Sequence, residues 1–218
     1  MTIRRTLTIQ ALIWSLILTY SFFMASRMPD QVPIHWDING HADQMGSKWT
    51  SLFTGPLMIP FAMLLTWGLP KISPKNFTVE RFERTWCAVM LLMTGLFAGL
   101  HVVIAEASMG GKFDMTRVML AIIFAFFGVM GGLLGKVERN FWMGIRTPWT
   151  LASDAVWKAT HESAGKLWLF AGIVGAILAM IGVPFAVMFT LLMVVALYPV
   201  AQSYFLYKKI EGNGISSV

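Results

Sequence analysis

Six blocks of apolar residues, separated by stretches rich in charge, Pro and Gly, organise this chain. They run about Leu7 to Ser26, Leu52 to Leu69, Trp86 to Ser108, Met115 to Leu134, Lys166 to Ile181 and Phe185 to Tyr207. A membrane span needs about 20 residues at roughly 1.5 Å of rise each, so the pattern predicts six transmembrane helices. The fifth block is short and Pro184 closes it, which predicts a tight helical hairpin with the sixth block through Gly182, Val183 and Pro184. Two connectors are too long to be plain turns: one from about Arg27 to Ser51, the other from about Gly135 to Gly165.

Composition agrees with a bilayer environment. Hydrophobic residues make up 56% of the 218 positions and charged residues 13%, and the latter is about half the usual share of a soluble domain. Too few charges are present to cover a water-facing surface. The net charge of +6 would raise the question of nucleic acid in a soluble chain. Here the basic residues flank the apolar blocks, so they mark topology, and direct nucleic-acid binding is not expected.

With the N-terminus inside, thirteen Lys and Arg lie on the cytoplasmic side, among them Arg4, Arg5, Lys71, Arg81, Lys136, Arg139, Arg146, Lys158 and Lys208. Four (Arg27, Lys48, Lys112 and Arg117) lie outside. The positive-inside rule therefore predicts both termini in the cytoplasm. The first block is longer than the roughly 7–15-residue apolar core of a signal peptide and lacks a clean cleavage site, so it reads as a retained helix. The expected architecture is an all-α integral membrane protein with one membrane domain. Residues 1–69 supply helix 1, the outer loop and helix 2, and residues 70–218 supply helices 3–6 with a cytoplasmic interfacial segment between helices 4 and 5.

Within the spans, small residues recur four apart at Gly95 and Gly99, Gly128 and Gly132, and Gly131 and Gly135. Such spacing lets helices approach closely in lipid; it predicts packing within the bundle, with a homodimer seam as the alternative. Cys87, the single cysteine, allows no intramolecular disulfide and reads as a small packing residue. His101 and Glu106 are ionisable groups in the third span, where such groups are costly and often functional. Their spacing of five separates them around the helix.

The outer connector from Pro33 to Trp49 holds His35, Trp36, Asp37, Asn39, Gly40, His41, Asp43, Lys48 and Trp49. Asn39-Gly40 predicts a turn that folds His35 and Asp37 back toward His41 and Asp43. Three readings stay open: a capped, hydrogen-bonded loop with its Trp residues at the interface, a peptide-contact surface, and a site for zinc or another divalent cation on His35, Asp37, His41 and Asp43. No cofactor is expected on the first two. In the inner connector, Thr147-Pro148 predicts a turn and Thr150 an N-cap for the helix that follows. Val156, Trp157, Thr160 and Ala164 then fall at helical spacing. Trp142, Trp149 and Trp157 suggest a segment on the inner leaflet, with Arg146 and Lys158 toward lipid phosphates. It reads either as a brace for the bundle or as a docking face for a cytosolic partner. No Ser/His/Asp set, HExxH or phosphate-binding Gly loop is present, which argues against an enzyme.

At these two connectors the chain resembles the SdpI family of bacterial membrane proteins. The run Pro33-Ile34-His35-Trp36-Asp37, with Gly40, Asp43 and Lys48, is similar to the small extracytoplasmic module of unknown function at the start of such proteins. The run Met143-Gly144-Ile145-Arg146-Thr147-Pro148-Trp149-Thr150-Leu151, followed by Val156-Trp157-Lys158, is similar to the family's cytoplasmic signature and is the more specific of the two. Asp37 departs from the Asn more usual there, and the added charge bears on what the loop binds.

The resemblance implies an immunity and signalling protein of the bacterial cytoplasmic membrane, not an enzyme. Such a protein gives resistance to a secreted antimicrobial peptide toxin, and a cytosolic transcriptional repressor is its implied second partner. Toxin contact would fall on His35, Trp36, Asp37, Asn39, Gly40, Asp43 and Lys48, and coupling or docking on Gly144, Arg146, Thr147, Pro148, Trp149 and Trp157. The rival readings are a metal-dependent membrane enzyme or transporter acting on lipid or cell-wall precursors, and a structural partner of another membrane complex.

Overall fold

The computed structural model describes residues 1–212. Six helices are long and apolar enough to cross a membrane. They are α1 (Ile3–Ala25), α2 (Lys48–Lys71), α3 (Glu83–Ser108), α4 (Met115–Leu134), α6 (Asp154–Met180) and α7 (Phe185–Ile210), with a short α5 (Pro148–Ala152) between the fourth and fifth spans. Their outward faces are apolar: Leu16, Phe170, Ile181 and Phe205 are each more than two-thirds exposed. That inversion of the soluble pattern suits a lipid solvent. The chain is an all-α integral membrane protein with six spans.

Local chemistry sets the helix ends. Thr2 caps α1, Ser47 caps α2 and Asp114 caps α4, each side chain accepting a backbone N–H of the first turn. Gly182, at φ +85°, ends the fifth span. Its N–H donates to Ala179 and that of Val183 to Leu178, a glycine-terminated close of the kind that reverses a chain sharply. The predicted hairpin through Gly182, Val183 and Pro184 is present.

The fifth span itself differs from expectation. It begins at Asp154, twelve positions before Lys166. The stripe Val156, Trp157, Thr160 and Ala164 is buried and continues into Gly165, Ala171, Gly172 and Gly175. These residues form one continuous core-facing side, so the stripe belongs to the fifth span and not to a helix of its own, and Trp157 faces the core instead of the inner leaflet. Lys158, Glu162 and Lys166 project from the other side and break the apolar run in the sequence without breaking the helix.

The outer connector is a β-hairpin instead of an irregular loop. Strands β1 (Gln31–Trp36) and β2 (Ala42–Ser47) pair antiparallel, from Gln31 opposite Ser47 to Trp36 opposite Ala42. Val32 is fully buried and packs with Met24, Met28 and Leu52, which seats the hairpin on the ends of α1 and α2. The inner connector lies at the opposite end of the bundle.

Glycines set the closest helix crossing. A Cβ on Gly131 would overlap the backbone of Leu169 and Gly165, and one on Gly172 the backbone of Gly128. The α4–α6 seam is therefore backbone against backbone, where dispersion contacts are densest. Gly95, Gly99 and Gly132 have open space instead. The four-residue spacing thus marks two different environments: a seam against α6 for Gly128, Gly131 and Gly135, and an unfilled surface for Gly95, Gly99 and Gly132.

Candidate functional site

The hairpin end is built around Asp37. Its carboxylate accepts the N–H groups of Asn39 (2.8 Å) and His41 (2.9 Å), while its own N–H donates to the carbonyl of His41 (2.8 Å). Gly40, at φ +81°, completes the predicted Asn39-Gly40 turn. The backbone N–H of His41, then that of Asn39, hold the Asp37 carboxyl below its ordinary range.

The register slips beside His35, which stands opposite Gln44 while Trp36 stands opposite Ala42. Asp43 is the extra residue of that bulge, and its carboxylate meets Nδ1 of His35 at 2.6 Å. His41 and Asp37 form a second pair at 3.7 Å. The expected convergence of His35, Asp37, His41 and Asp43 is replaced by these two pairs, because one is cross-strand at the bulge and the other spans the turn. Among the described residues, no group of three or more His, Cys, Asp or Glu is placed to hold a metal ion.

Lys48 ties the hairpin base, with Nζ 2.9 Å from Asp30 and 3.5 Å from the carbonyl of Met28. Trp49 is half exposed and stacks on Phe53. Beneath the strands lies a mostly apolar cavity of about 430 Å³, walled by Ile34, Trp36 and Ile38 above and by Ile104, Met119 and Phe185 below. Ser108 donates to the carbonyl of Pro33 (2.9 Å), and Thr116 to that of Ile38 (3.2 Å). The hairpin is thus hydrogen-bonded to α3 and α4 across the cavity mouth.

At the opposite end, the inner connector is a hydrogen-bonded knot. Asn140 is fully buried; its Oδ1 accepts the N–H groups of Trp142 (2.7 Å) and Met143 (2.9 Å), and its Nδ2 donates to the carbonyls of Glu138 and Met143. His161 Nδ1 donates to the carbonyl of Trp157 (2.8 Å), which leaves Nε2 to accept the N–H of Ile145 (2.9 Å). Its ring stacks on Trp157 at 4.0 Å, and the Trp157 indole donates to the carbonyl of Val137 (2.8 Å).

Thr147, not Thr150, caps a helix here. It opens α5 with Pro148 at its first position, and Thr150 closes the box by accepting the N–H of Thr147. Ser153 caps α6. Thr150 is three residues too early for that role because α5 intervenes.

The residues named at this end from the sequence divide by exposure. Arg146 and Pro148 are exposed, Trp149 is half-buried against Tyr204, and Gly144 is half-buried against His161 and Trp157. Thr147 and Trp157 are buried in the knot. Arg146 donates to the carbonyl of Phe141. Lys158 is exposed with Glu162 nearby.

Between the two ends, polar groups distant in the chain meet within the spans. His101 Nε2 meets Ser21 Oγ at 2.9 Å, and Tyr20 donates to Glu106 at 3.0 Å. Although five positions apart on α3, His101 and Glu106 therefore address consecutive residues of α1. Gln10 is fully buried and bonds Thr66 (3.1 Å) and Thr94 (2.9 Å), which joins α1, α2 and α3. Single polar residues in long apolar blocks were the only trace of this network in the sequence.

Residues 136–203 match the model of the SdpI/YfhL protein family, and residues 12–59 match a domain of unknown function (DUF1648). The two matched segments hold the knot and the hairpin respectively. The chain is 22% identical over 201 residues to the immunity protein SdpI of Bacillus subtilis (strain 168), covering 88% of this chain and 91% of that protein. No solved structure matches. The resemblance to the SdpI family is thereby shown, and with the six apolar helices it makes this a multi-pass bacterial membrane protein.

Proposed function

We propose that this chain is a non-enzymatic immunity protein of the bacterial cytoplasmic membrane that protects its host from a secreted antimicrobial peptide. The observation that carries the reading is similarity to an immunity protein along 88% of the chain, including both the hairpin and the knot. The excess of basic residues at the knot end supports a cytoplasmic knot and an outward hairpin.

In that orientation the hairpin offers a peptide both hydrogen-bonding strand edges and an apolar cavity floor. The contact residues are His35, Trp36, Asp37, Asn39 and Gly40 with Asp43, and Lys48 holds their base. The exposed part of the knot, around Arg146, Pro148 and Trp149, is the face for a cytosolic repressor, while Gly144, Thr147 and Trp157 shape it from beneath. Signalling requires the peptide to favour one arrangement of the bundle over another.

The experiment is challenge of cells with the secreted peptide, with and without the chain. Expression should raise the tolerated dose, and His35→Ala should lower it again at equal membrane abundance. Equal killing of cells with and without the chain would end the immunity reading.

A further inference from the structure

A second cavity lies beside the first, between α2 and α3. It has a volume of about 320 Å³ and is walled by Ile34, Ser51, Thr54, Met58, Phe97 and His101. Ile34 of the hairpin and Ile104 of α3 line both cavities, so this groove adjoins the surface assigned above to the peptide.

His101 gives the groove its chemistry. The hydroxyl of Ser21 donates to the carbonyl of Ile17 (3.0 Å), so toward His101 it can only accept. Nε2 of His101 therefore carries the proton, and Nδ1 is a bare acceptor. The residue is 1% exposed, and Nδ1 has no hydrogen-bond partner among the described residues. A buried polar atom without a partner is uncommon and costly in an apolar surrounding.

The neighbouring hydroxyls do not satisfy it. Thr54 donates to the carbonyl of Thr50 (2.7 Å). Ser108 donates to the carbonyls of Pro33 and Ile104, so the proton shared between Ser51 and Ser108 comes from Ser51. The Ser51 and Thr54 protons are spent on oxygens, and Nδ1 is left without a donor among the described residues.

Gly55 stands across from the ring. A Cβ there would lie 2.7 Å from Nδ1, so the missing side chain lets the α2 backbone close over that nitrogen, and a donor reaches it where α2 parts from α3. Pro56, next to Gly55, and Pro60, a turn further, lie within α2 and supply no N–H, so the carbonyls of Leu52 and Pro56 lose their intrahelical partners. The helix wall is thereby loosened where a ligand would part it from α3.

We propose that this groove binds an apolar peptide segment carrying an N–H, which donates to Nδ1 of His101. The proposal rests on the immunity reading for the identity of the peptide, and on the geometry alone for the site and its need for a donor.

The test uses the full chain in lipid nanodiscs with 15N-labelled histidine. Indole serves as an apolar probe with one N–H, and 1-methylindole as its counterpart without one. Indole should shift the bare-nitrogen resonance of His101 in the direction of hydrogen-bond acceptance, and 1-methylindole should leave it in place. Gly55→Ala should abolish the indole shift, with the His161 resonances reporting that the fold is retained.

No shift with indole, or an equal shift with both probes, overturns the proposal. A resonance already displaced in phosphatidylethanolamine–phosphatidylglycerol discs and released in phosphatidylcholine discs makes a lipid headgroup the occupant, which also overturns it. An indole-specific shift in a chain that fails to protect cells removes the immunity reading and leaves the groove standing.

Discussion

The N–H of Ile145 donates to Nε2 of His161 at 2.9 Å, and through that bond the connector between α4 and α6 is held to the body of α6. The approach is open only because Gly144 precedes it: its φ is +105°, and a Cβ there would run into the imidazole. Gly144 and His161 are thus a matched pair, one supplying space and the other the acceptor.

Disrupting either member should loosen the knot. His161→Ala removes a stack on Trp157 and strands a buried N–H, a loss of about 2–4 kcal/mol. Gly144→Ala combines a left-handed backbone with a steric clash, a loss of about 1–3 kcal/mol. Thermal unfolding in detergent should show both as a lowered Tm. Arg146→Ala, on an exposed residue, should leave Tm within error while weakening any docking at that face.

Acid should act on the hairpin through Asp37. Because its folded carboxyl titrates below the ordinary range, its contribution is present above the unfolded pKa of about 3.9. That contribution is lost as pH falls through the lower folded value. Trp36 fluorescence followed from pH 7 downward should report loosening only on the acid side. Asp37→Asn retains an oxygen to accept from Asn39 and His41, so it should keep the turn and remove that acid dependence; Asp37→Ala should lose the turn at neutral pH.

The glycine positions should separate cleanly under substitution. Gly131→Leu and Gly172→Leu should disrupt α4–α6 packing and lower detergent resistance, since the opposing atoms are backbone and cannot rotate away. Gly95→Leu and Gly99→Leu meet open space, and a monomer should tolerate them. If cross-linking yields a dimer that Gly99→Leu abolishes, that surface is a homodimer seam.

His35→Ala should separate contact from stability. The His35–Asp43 pair is largely exposed, and exposed pairs contribute at most about 1 kcal/mol. Tm should therefore hold while the tolerated peptide dose falls. The same variant tests the metal reading: calorimetric zinc titration should give no stoichiometric binding to the parent chain, and stoichiometric zinc lost in His35→Ala would favour the metal-dependent rival.

The sequence by itself determined the membrane class, six spans and the Gly182–Pro184 reversal, because hydropathy and Pro/Gly chemistry act locally and leave their pattern in neighbouring residues. It also showed that Asn39-Gly40 turns and that Val156, Trp157, Thr160 and Ala164 share a face. What it could not show depended on partners distant in the chain. The extension of α6 back to Asp154 was hidden because Lys158, Glu162 and Lys166 interrupt the apolar run while facing away from the core. The hairpin was hidden because its pairing is decided by seating Val32 on Met24 and Leu52.

The pairing of His35 with Asp43 waited on a one-residue bulge, which no spacing rule reveals. The bare nitrogen of His101 is a fact of tertiary structure alone. It depends on Ser21, eighty positions away in the chain, taking one side of the ring, and on the Gly55 backbone closing over the other side without supplying a donor.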